Sequence, residues 1–132
     1  MSYVFYCTDR TEMESLQKGV FGNSYRYWDK VRKIKLGDPV FLVNLNNGIL
    51  YGPFRASGKP RIHLDPYIFI DSKRNYPAQV EVEWGRVMKL DRAFTKLRFL
   101  RNDLPCRLTP TETVKVLVGL LEEQTGKLLA WA

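Results

Sequence analysis

Residues 37–56 read GDPVFLVNLNNGILYGPFRA, and the pattern of this stretch decides the fold. Two apolar runs flank Asn46-Asn47-Gly48, and such a tripeptide is typical of the turn between two antiparallel strands. Pro53 has no amide hydrogen to donate, so we expect it at an edge or bulge of the second strand, where Gly52 supplies backbone freedom. The stretch therefore predicts a β-hairpin with strands over 40–45 and 49–56.

The chain before this hairpin predicts one strand and two helices. Residues 3–7 are apolar and predict a buried strand. Thr11-Glu12-Met13-Glu14 has the form of a capping box, and Gly19 offers a left-handed end to the helix that follows it. Residues 25–33 predict a second helix with an apolar face and a dense group of Lys and Arg on the others.

The chain after the hairpin predicts a long loop and a further strand. Residues 57–76 show no periodicity and contain Gly, Pro and Asn, but their apolar side chains argue against disorder. Residues 79–88 alternate as a strand, which places Trp84 on the inner face. Residues 90–100 fit either a short helix or a turn.

The last predicted element is a helix. Thr109-Pro110-Thr111-Glu112 is a second capping box with proline at the first helical position, and Thr125-Gly126 predicts the end. Its expected apolar stripe consists of Val114, Leu117, Val118 and Leu121.

Composition indicates one folded domain over residues 1–132. Hydrophobic residues make up 45% of the chain, which is enough for a hydrophobic core. The longest apolar run, 40–43, is far shorter than the roughly 20 residues of a membrane span. The first residues lack the features of a secretory signal, so we expect a cytoplasmic protein in which Cys7 and Cys106 are reduced.

The net charge indicates the kind of partner. Lys and Arg number 21 against 14 Asp and Glu, which gives +7. Unpaired charges stay at the surface, so this excess favours a polyanion as partner.

Few residues suggest catalysis. His63 is the single histidine and has no second ligand at metal-binding spacing, and no glycine pattern matches a phosphate loop. Cys7 or Cys106 with His63 as base is the one nucleophilic pairing that the sequence leaves open. We therefore expect no enzyme, no cofactor and no metal.

Three stretches taken together carry a family resemblance: Val20-Phe21-Gly22, residues 34–44 and residues 50–56. Their order and spacing resemble the DCD (development and cell death) domain, as do residues 76–80 and the helix after Leu108-Thr109. That domain is placed in the PUA-like group beside the YTH and EVE domains, which bind RNA or DNA and often read a modified base. The resemblance implies an α+β, PUA-like fold: a small curved mixed sheet or open barrel flanked by helices.

The similarity to YTH domains implies an aromatic cage for a methylated adenine. Phe21 would form its first wall, and rings of the long loop would form the others, where the YTH pattern has tryptophans. Trp28 can stack on a base and Asn23 can read a base edge. The candidate base pocket thus consists of Phe21, Trp28, Tyr67, Phe69, Tyr76 and Asn23. The candidate phosphate-binding residues are Arg26, Lys30, Arg32, Lys33, Lys59, Arg61, Lys73 and Arg74.

These residues favour a non-enzymatic domain that accepts a single base, methylated or not, in an aromatic pocket with a basic rim. The partner would be RNA or DNA, single-stranded or with a flipped base. The setting would be an RNA reader or the DNA-specificity module of a modification-dependent restriction system. The alternative is a protein–protein interaction module of the DCD kind without a nucleic-acid ligand. A membrane partner is not expected, because the basic stretch 26–35 is too short to anchor alone.

Overall fold

The computed structural model describes the backbone of residues 1–69 and 76–131 and the side chains up to residue 126 within those ranges. Its strands are β1 (Ser2–Cys7), β2 (Val20–Asn23), β3 (Pro39–Asn44), β4 (Leu50–Ala56), β5 (Arg61–Ile62), β6 (Ala78–Glu83), β7 (Met88–Leu90) and β8 (Arg107–Leu108). Its helices are α1 (Asp9–Lys18), α2 (Trp28–Val31), α3 (Ala93–Lys96), α4 (Arg98–Asp103) and α5 (Pro110–Trp131). A short 3₁₀ turn, Tyr25–Tyr27, leads into α2.

The described strands form one mixed sheet in the order β2-β6-β4-β3-β1-β8, with β5 added to β6 and β7 added to β4. β1 and β3 run parallel, and the other pairs are antiparallel. The described helices flank this sheet, which confirms the predicted α+β class.

The predicted hairpin is formed by β3 and β4. Phe41 faces both Gly52 and Pro53, because Val40 pairs with Phe54 while Leu42 pairs with Tyr51. This is a β-bulge, as expected for Pro53. A Cβ added to Gly52 would lie 2.5 Å from the Phe41 ring, so the bulge requires glycine there.

Hydrophobic residues pack on both faces of β3. Val40 and Leu42 belong to a core cluster with Phe21 and Phe54, and we call this group the first core. Phe41 and Val43 face a second cluster that includes residues of α5. Since neighbouring side chains of a strand point to opposite faces, the central strands are buried on both sides.

The helix α1 begins earlier than the capping box at Thr11 predicts. Thr8 is the residue before its first turn, and its amide donates to the Thr11 hydroxyl over 3.0 Å. The Glu14 carboxylate accepts the Phe69 amide at 2.9 Å, so it anchors the long loop rather than the helix start. The predicted end is confirmed, since Gly19 has a left-handed φ of 64°.

Two predicted elements are shorter in the structure. The helix expected over 25–33 is a 3₁₀ turn followed by the single turn of α2. The strand expected over 79–88 ends at Glu83, and a bend separates it from β7. Gln79, expected to face solvent, is 1% exposed because its side chain binds the Asp65 amide and the Tyr76 carbonyl.

The capping box of α5 is confirmed, but its predicted apolar face and end are wrong. The Thr109 hydroxyl accepts the Glu112 amide at 3.1 Å, and the Glu112 carboxylate accepts the Thr109 amide at 2.9 Å. Val116 and Leu120 are fully buried, whereas Val118 is 44% exposed. Apolar residues occur on several faces of this helix, so periodicity alone does not select the packed one. The helix continues through Gly126 to Trp131, since strong helix formers follow that glycine.

Candidate nucleic-acid interface

Phe21 lies in the core and does not line an open pocket. Its ring has no exposed surface and packs 4.8 Å from Phe54 and 6.0 Å from Phe5, centroid to centroid. Val20 and Gly22 point to the opposite face of β2, as strand geometry requires. The interpretation of Phe21 as a cage wall is therefore corrected to a core position in this structure.

Two of the loop aromatics lie on that opposite face of β2. Phe69 and Tyr76 pack edge to face, with centroids 5.7 Å apart. A Cβ added to Gly22 would lie 2.8 Å from the Phe69 ring and from the Tyr76 carbonyl oxygen. Phe69 is 3% exposed in a small cluster with Val20. Both rings are thus separated from Phe21 by the strand itself.

The other predicted pocket residues occupy three different places. Tyr67 is 74% exposed, whereas Trp28 is half-buried against the first core. The Asn23 side-chain oxygen accepts a hydrogen bond from the Ser24 backbone amide at 2.8 Å, and the Asn23 side-chain amide donates to the Cys106 sulfur at 3.9 Å. The structure therefore does not bring the six predicted residues around one cavity.

The predicted phosphate-binding residues are exposed wherever the structure describes them. Four of them follow β2 directly and form what we call the basic segment: Arg26, Lys30, Arg32 and Lys33. Arg32 lies 3.6 Å from the Asp29 carboxylate, an exposed pair that contributes little to stability. Lys59 and Arg61 lie at β5. Lys73 and Arg74 lie outside the described residues.

Trp84 is a second aromatic residue whose position differs from the one predicted from the sequence. It was expected on the inner face of a strand, but β6 ends one residue earlier and the side chain is 45% exposed. Its ring packs edge to face on Phe54 at 5.7 Å, so Phe21, Phe54 and Trp84 form a run of rings from core to surface. The sequence signal was Gly85, because glycine is among the strongest markers of a break in local structure.

Two clefts flank the Trp84 ring. The first, which we call the Trp84 cleft, has a volume of about 470 Å³ and is lined by Pro53, Arg55, Glu83, Trp84, Gly85 and Arg86. The second measures about 560 Å³ and carries Lys18 against Glu81 and Glu83. The first cleft therefore has an excess of positive charge and the second an excess of negative charge.

A larger groove of about 680 Å³ lies between α5 and residues near β7. Lys96 and Lys115 contribute positive charge, but Glu122 and Glu123 balance it, and Lys96 pairs with Glu123 at 3.8 Å. With no excess of cations, this groove is less suited to a polyanion than the Trp84 cleft.

Both cysteines are free and buried. Burial, together with the Glu12 and Asp9 carboxylates, raises the pKa of the Cys7 thiol to about 12. Burial also raises the pKa of Cys106, although Lys30 and the Asn23 amide oppose the shift. Neither sulfur is a thiolate near neutral pH, so the nucleophilic pairing with His63 has no activated nucleophile.

The described residues contain no group of three or more His, Cys, Asp and Glu side chains arranged to hold a metal ion. No helix in the same ranges has the length and apolarity needed to cross a membrane.

Comparison with solved structures identifies the fold. The YTH domain-containing protein mmi1, solved in complex with RNA, superposes with a TM-score of 0.68 at 9% sequence identity. The match covers 96% of this chain and 85% of that one. The Pho92 YTH domain, solved in complex with m6A, superposes with a TM-score of 0.64 at 15% identity over 90% of this chain and 82% of that one. The chain therefore has the fold of the YTH domains.

The chain is also similar in sequence to several plant proteins. The DCD domain-containing protein NRP-A of Glycine max is 39% identical over 84 residues, which are 61% of this chain and 23% of that protein. The chain spans 24 to 41% of the length of three further plant relatives. The model of the development and cell death domain matches residues 1–96. Since this match covers more than half of the sequence, the chain belongs to the development and cell death (DCD) domain family.

Proposed function

We propose that this chain binds single-stranded RNA and catalyses no reaction on it. The observation that carries the proposal is the fold, which matches a YTH domain solved with RNA over 96% of this chain. The chain's own charge of +7 supports the same function, because phosphate contacts supply most of the affinity for nucleic acid.

The basic segment is the proposed main contact for phosphates. Its four cations are exposed and lie within eight consecutive residues, 26–33, so they can contact neighbouring phosphates. Lys59 and Arg61 extend the proposed contact, and Lys73 and Arg74 belong to the same proposal.

A single base, methylated or not, is the proposed unit of recognition. Tyr67 and Trp28 are candidates for stacking because their rings reach the surface, and Asn23 is a candidate for reading a base edge. Phe21, Phe69 and Tyr76 pack on the two faces of β2 and belong to the interior in this proposal.

The test is an anisotropy titration with a labelled single-stranded RNA of about 12 nucleotides, within the usual range of about 4 to 16. We expect the affinity to fall between about 50 and 200 mM salt. The variant Lys30→Ala/Arg32→Ala/Lys33→Ala should weaken binding and reduce the log–log salt slope by about 2, at about 0.7 for each lost phosphate contact. The matched control is Arg98→Ala/Arg101→Ala/Lys115→Ala, which removes three exposed cations elsewhere.

Further titrations with different oligonucleotides test which base and which sugar the chain prefers. One RNA carries adenosine at its centre, another carries N6-methyladenosine, and a DNA of the same sequence tests the choice of sugar. The RNA should be recovered intact on a denaturing gel. Absence of RNA binding by the wild-type chain at low salt, or equal losses in the two triple variants, contradicts the proposal. Microscopy of a tagged chain tests the proposed cytoplasmic location.

A further inference from the structure

Trp84 is both exposed and held in place. Its ring stands at 85° to Phe54, which in turn packs on the fully buried Phe21. Gly19 also lies close to the indole, since a Cβ added there would be 3.6 Å from a Trp84 ring carbon. A side chain that is already ordered loses little conformational entropy when a ligand packs on it.

The cleft beside this ring carries two arginines and one carboxylate. Arg55 and Arg86 are exposed, and among the described residues no carboxylate lies within 4.0 Å of either guanidinium as a salt bridge. Glu83 is the one acidic residue in the lining and lies opposite Arg55 in the pairing of β4 with β6, so the lining keeps one positive charge in excess. Guanidinium groups bind phosphate oxygens through two parallel hydrogen bonds, which lysine does not do.

These features together suit a nucleotide. A half-exposed indole can stack on a flat ring, and the two arginines that line the same cleft can bind the phosphates of a nucleotide. The cleft volume of about 470 Å³ lies within the range of about 300 to 1,000 Å³ typical of small-ligand sites. Bases of a duplex are already stacked, so a single strand is the form that offers a free face.

We propose that the Trp84 cleft is a base-stacking subsite for single-stranded RNA. Trp84 stacks on one base, while Arg55 and Arg86 hold the phosphates beside it. This subsite rests on the proposed RNA binding and adds a contact outside the basic segment and outside the predicted aromatic pocket.

The test compares substitutions of Trp84 in the same anisotropy titration, with single-stranded oligouridine as the probe. Loss of one stacked base weakens binding by about 5- to 150-fold, so Trp84→Ala should fall in that range. Trp84→Phe keeps a stacking face and should bind within a few-fold of wild type. Leu121→Ala is the matched control, since it shortens another exposed apolar side chain and should leave binding unchanged.

Intrinsic fluorescence gives a second readout. Stacking on a base quenches an indole, so wild-type emission should fall as RNA is added. Trp84→Phe should remove a large part of that quench while affinity is retained. This readout applies even if Trp84→Ala proves too unstable to assay.

A pair of arginine variants tests the phosphate contact. Arg86→Ala should lower affinity and reduce the log–log salt slope by about 0.7. Arg101→Ala removes the same charge from an exposed position on α4 and should change neither quantity.

The possible failures are distinguishable. Wild-type affinity in Trp84→Ala, with an unchanged quench in Trp84→Phe, overturns the subsite and leaves RNA binding intact. Equal effects of Arg86→Ala and Arg101→Ala overturn the assignment of the phosphate contact. If the wild-type chain binds no RNA at all, the proposed function and the subsite both fail.

Discussion

Phe21 and Trp84 belong to one run of rings that pack edge to face, yet their environments are opposite. Phe21 has no exposed surface, whereas Trp84 is 45% exposed. Both contact Phe54, at centroid distances of 4.8 and 5.7 Å. From the sequence, Phe21 was a candidate pocket wall and Trp84 a candidate core residue, and the structure reverses the two assignments.

The reversal shows what decides exposure in this fold. Phe21 lies inside β2, which pairs with β6 along its whole length. Trp84 follows the last residue of β6, where the chain bends away before β7. Trp84 is thus free to reach the surface, while Phe21 is covered by the side chains of the first core.

The largest effect expected from this comparison is on stability. Phe21→Ala should lower the free energy of unfolding by about 3 to 5 kcal/mol, because it leaves a cavity in the first core. Trp84→Ala should cost about 1 kcal/mol, since it loses mainly the contact with Phe54. Urea unfolding of both variants measures the difference, and similar losses in the two would mean that Trp84 is a core residue after all.

A second prediction concerns the other face of β2. Gly22→Ala places a methyl group 2.8 Å from the Phe69 ring and the Tyr76 carbonyl, so we expect a loss of about 1 to 3 kcal/mol. Gly58→Ala is the matched control, because its Cβ would lie 3.7 Å from the nearest atom, which is ordinary contact.

Hydrogen exchange locates the effect of Gly22→Ala. The Phe69 amide donates to Glu14, and its protection should fall when the loop is displaced from β2. Unchanged protection of this amide, together with unchanged stability, would show that the loop does not pack on Gly22.

The smallest prediction tests how well the first core excludes water. Cys7 belongs to the same cluster as Phe21, and its pKa is raised from 9.0 to about 12. Below about pH 9 the Cys7 thiol keeps its proton in both the folded and the unfolded chain. The buried thiol therefore makes its full contribution to the free energy of unfolding in this range. Above that pH the unfolded chain ionises first, and the free energy of unfolding falls until about pH 12.

The difference in the free energy of unfolding between the wild type and Cys7→Ala isolates the contribution of this thiol. The stability advantage of the wild type should shrink by at most about 1.4 kcal/mol per pH unit as the pH rises above 9. Urea unfolding at neutral pH and at about pH 10 measures it. A difference that stays constant with pH would mean that burial does not suppress ionisation of Cys7.

Elements defined by neighbouring residues were predictable. The hairpin of β3 and β4, the left-handed end of α1 at Gly19 and the capping box at Thr109 all depend on contacts within a few residues. The start of α1 is an exception, because Thr8 rather than Thr11 precedes the first turn and its amide donates to the Thr11 hydroxyl. The candidate cations were also predictable as surface residues, since charge disfavours burial.

The candidate aromatic site was less predictable. Its residues come from segments far apart in sequence, and their contacts depend on how those segments pair. Gly22 brings Phe69 and Tyr76 to one face of β2, and Phe54 brings Phe21 and Trp84 together on the other. In α5, Leu120 is buried and Leu121 is exposed, although the two residues are chemically identical.

The amino-acid sequence alone determined the positive charge, the hairpin, the start of the last helix and the resemblance to DCD domains, because each depends on composition or on short-range order. Only the tertiary structure decided which rings are covered and which reach solvent. Burial is set by whatever segment packs against a side chain, and for Trp84 that partner lies thirty residues earlier, at Phe54.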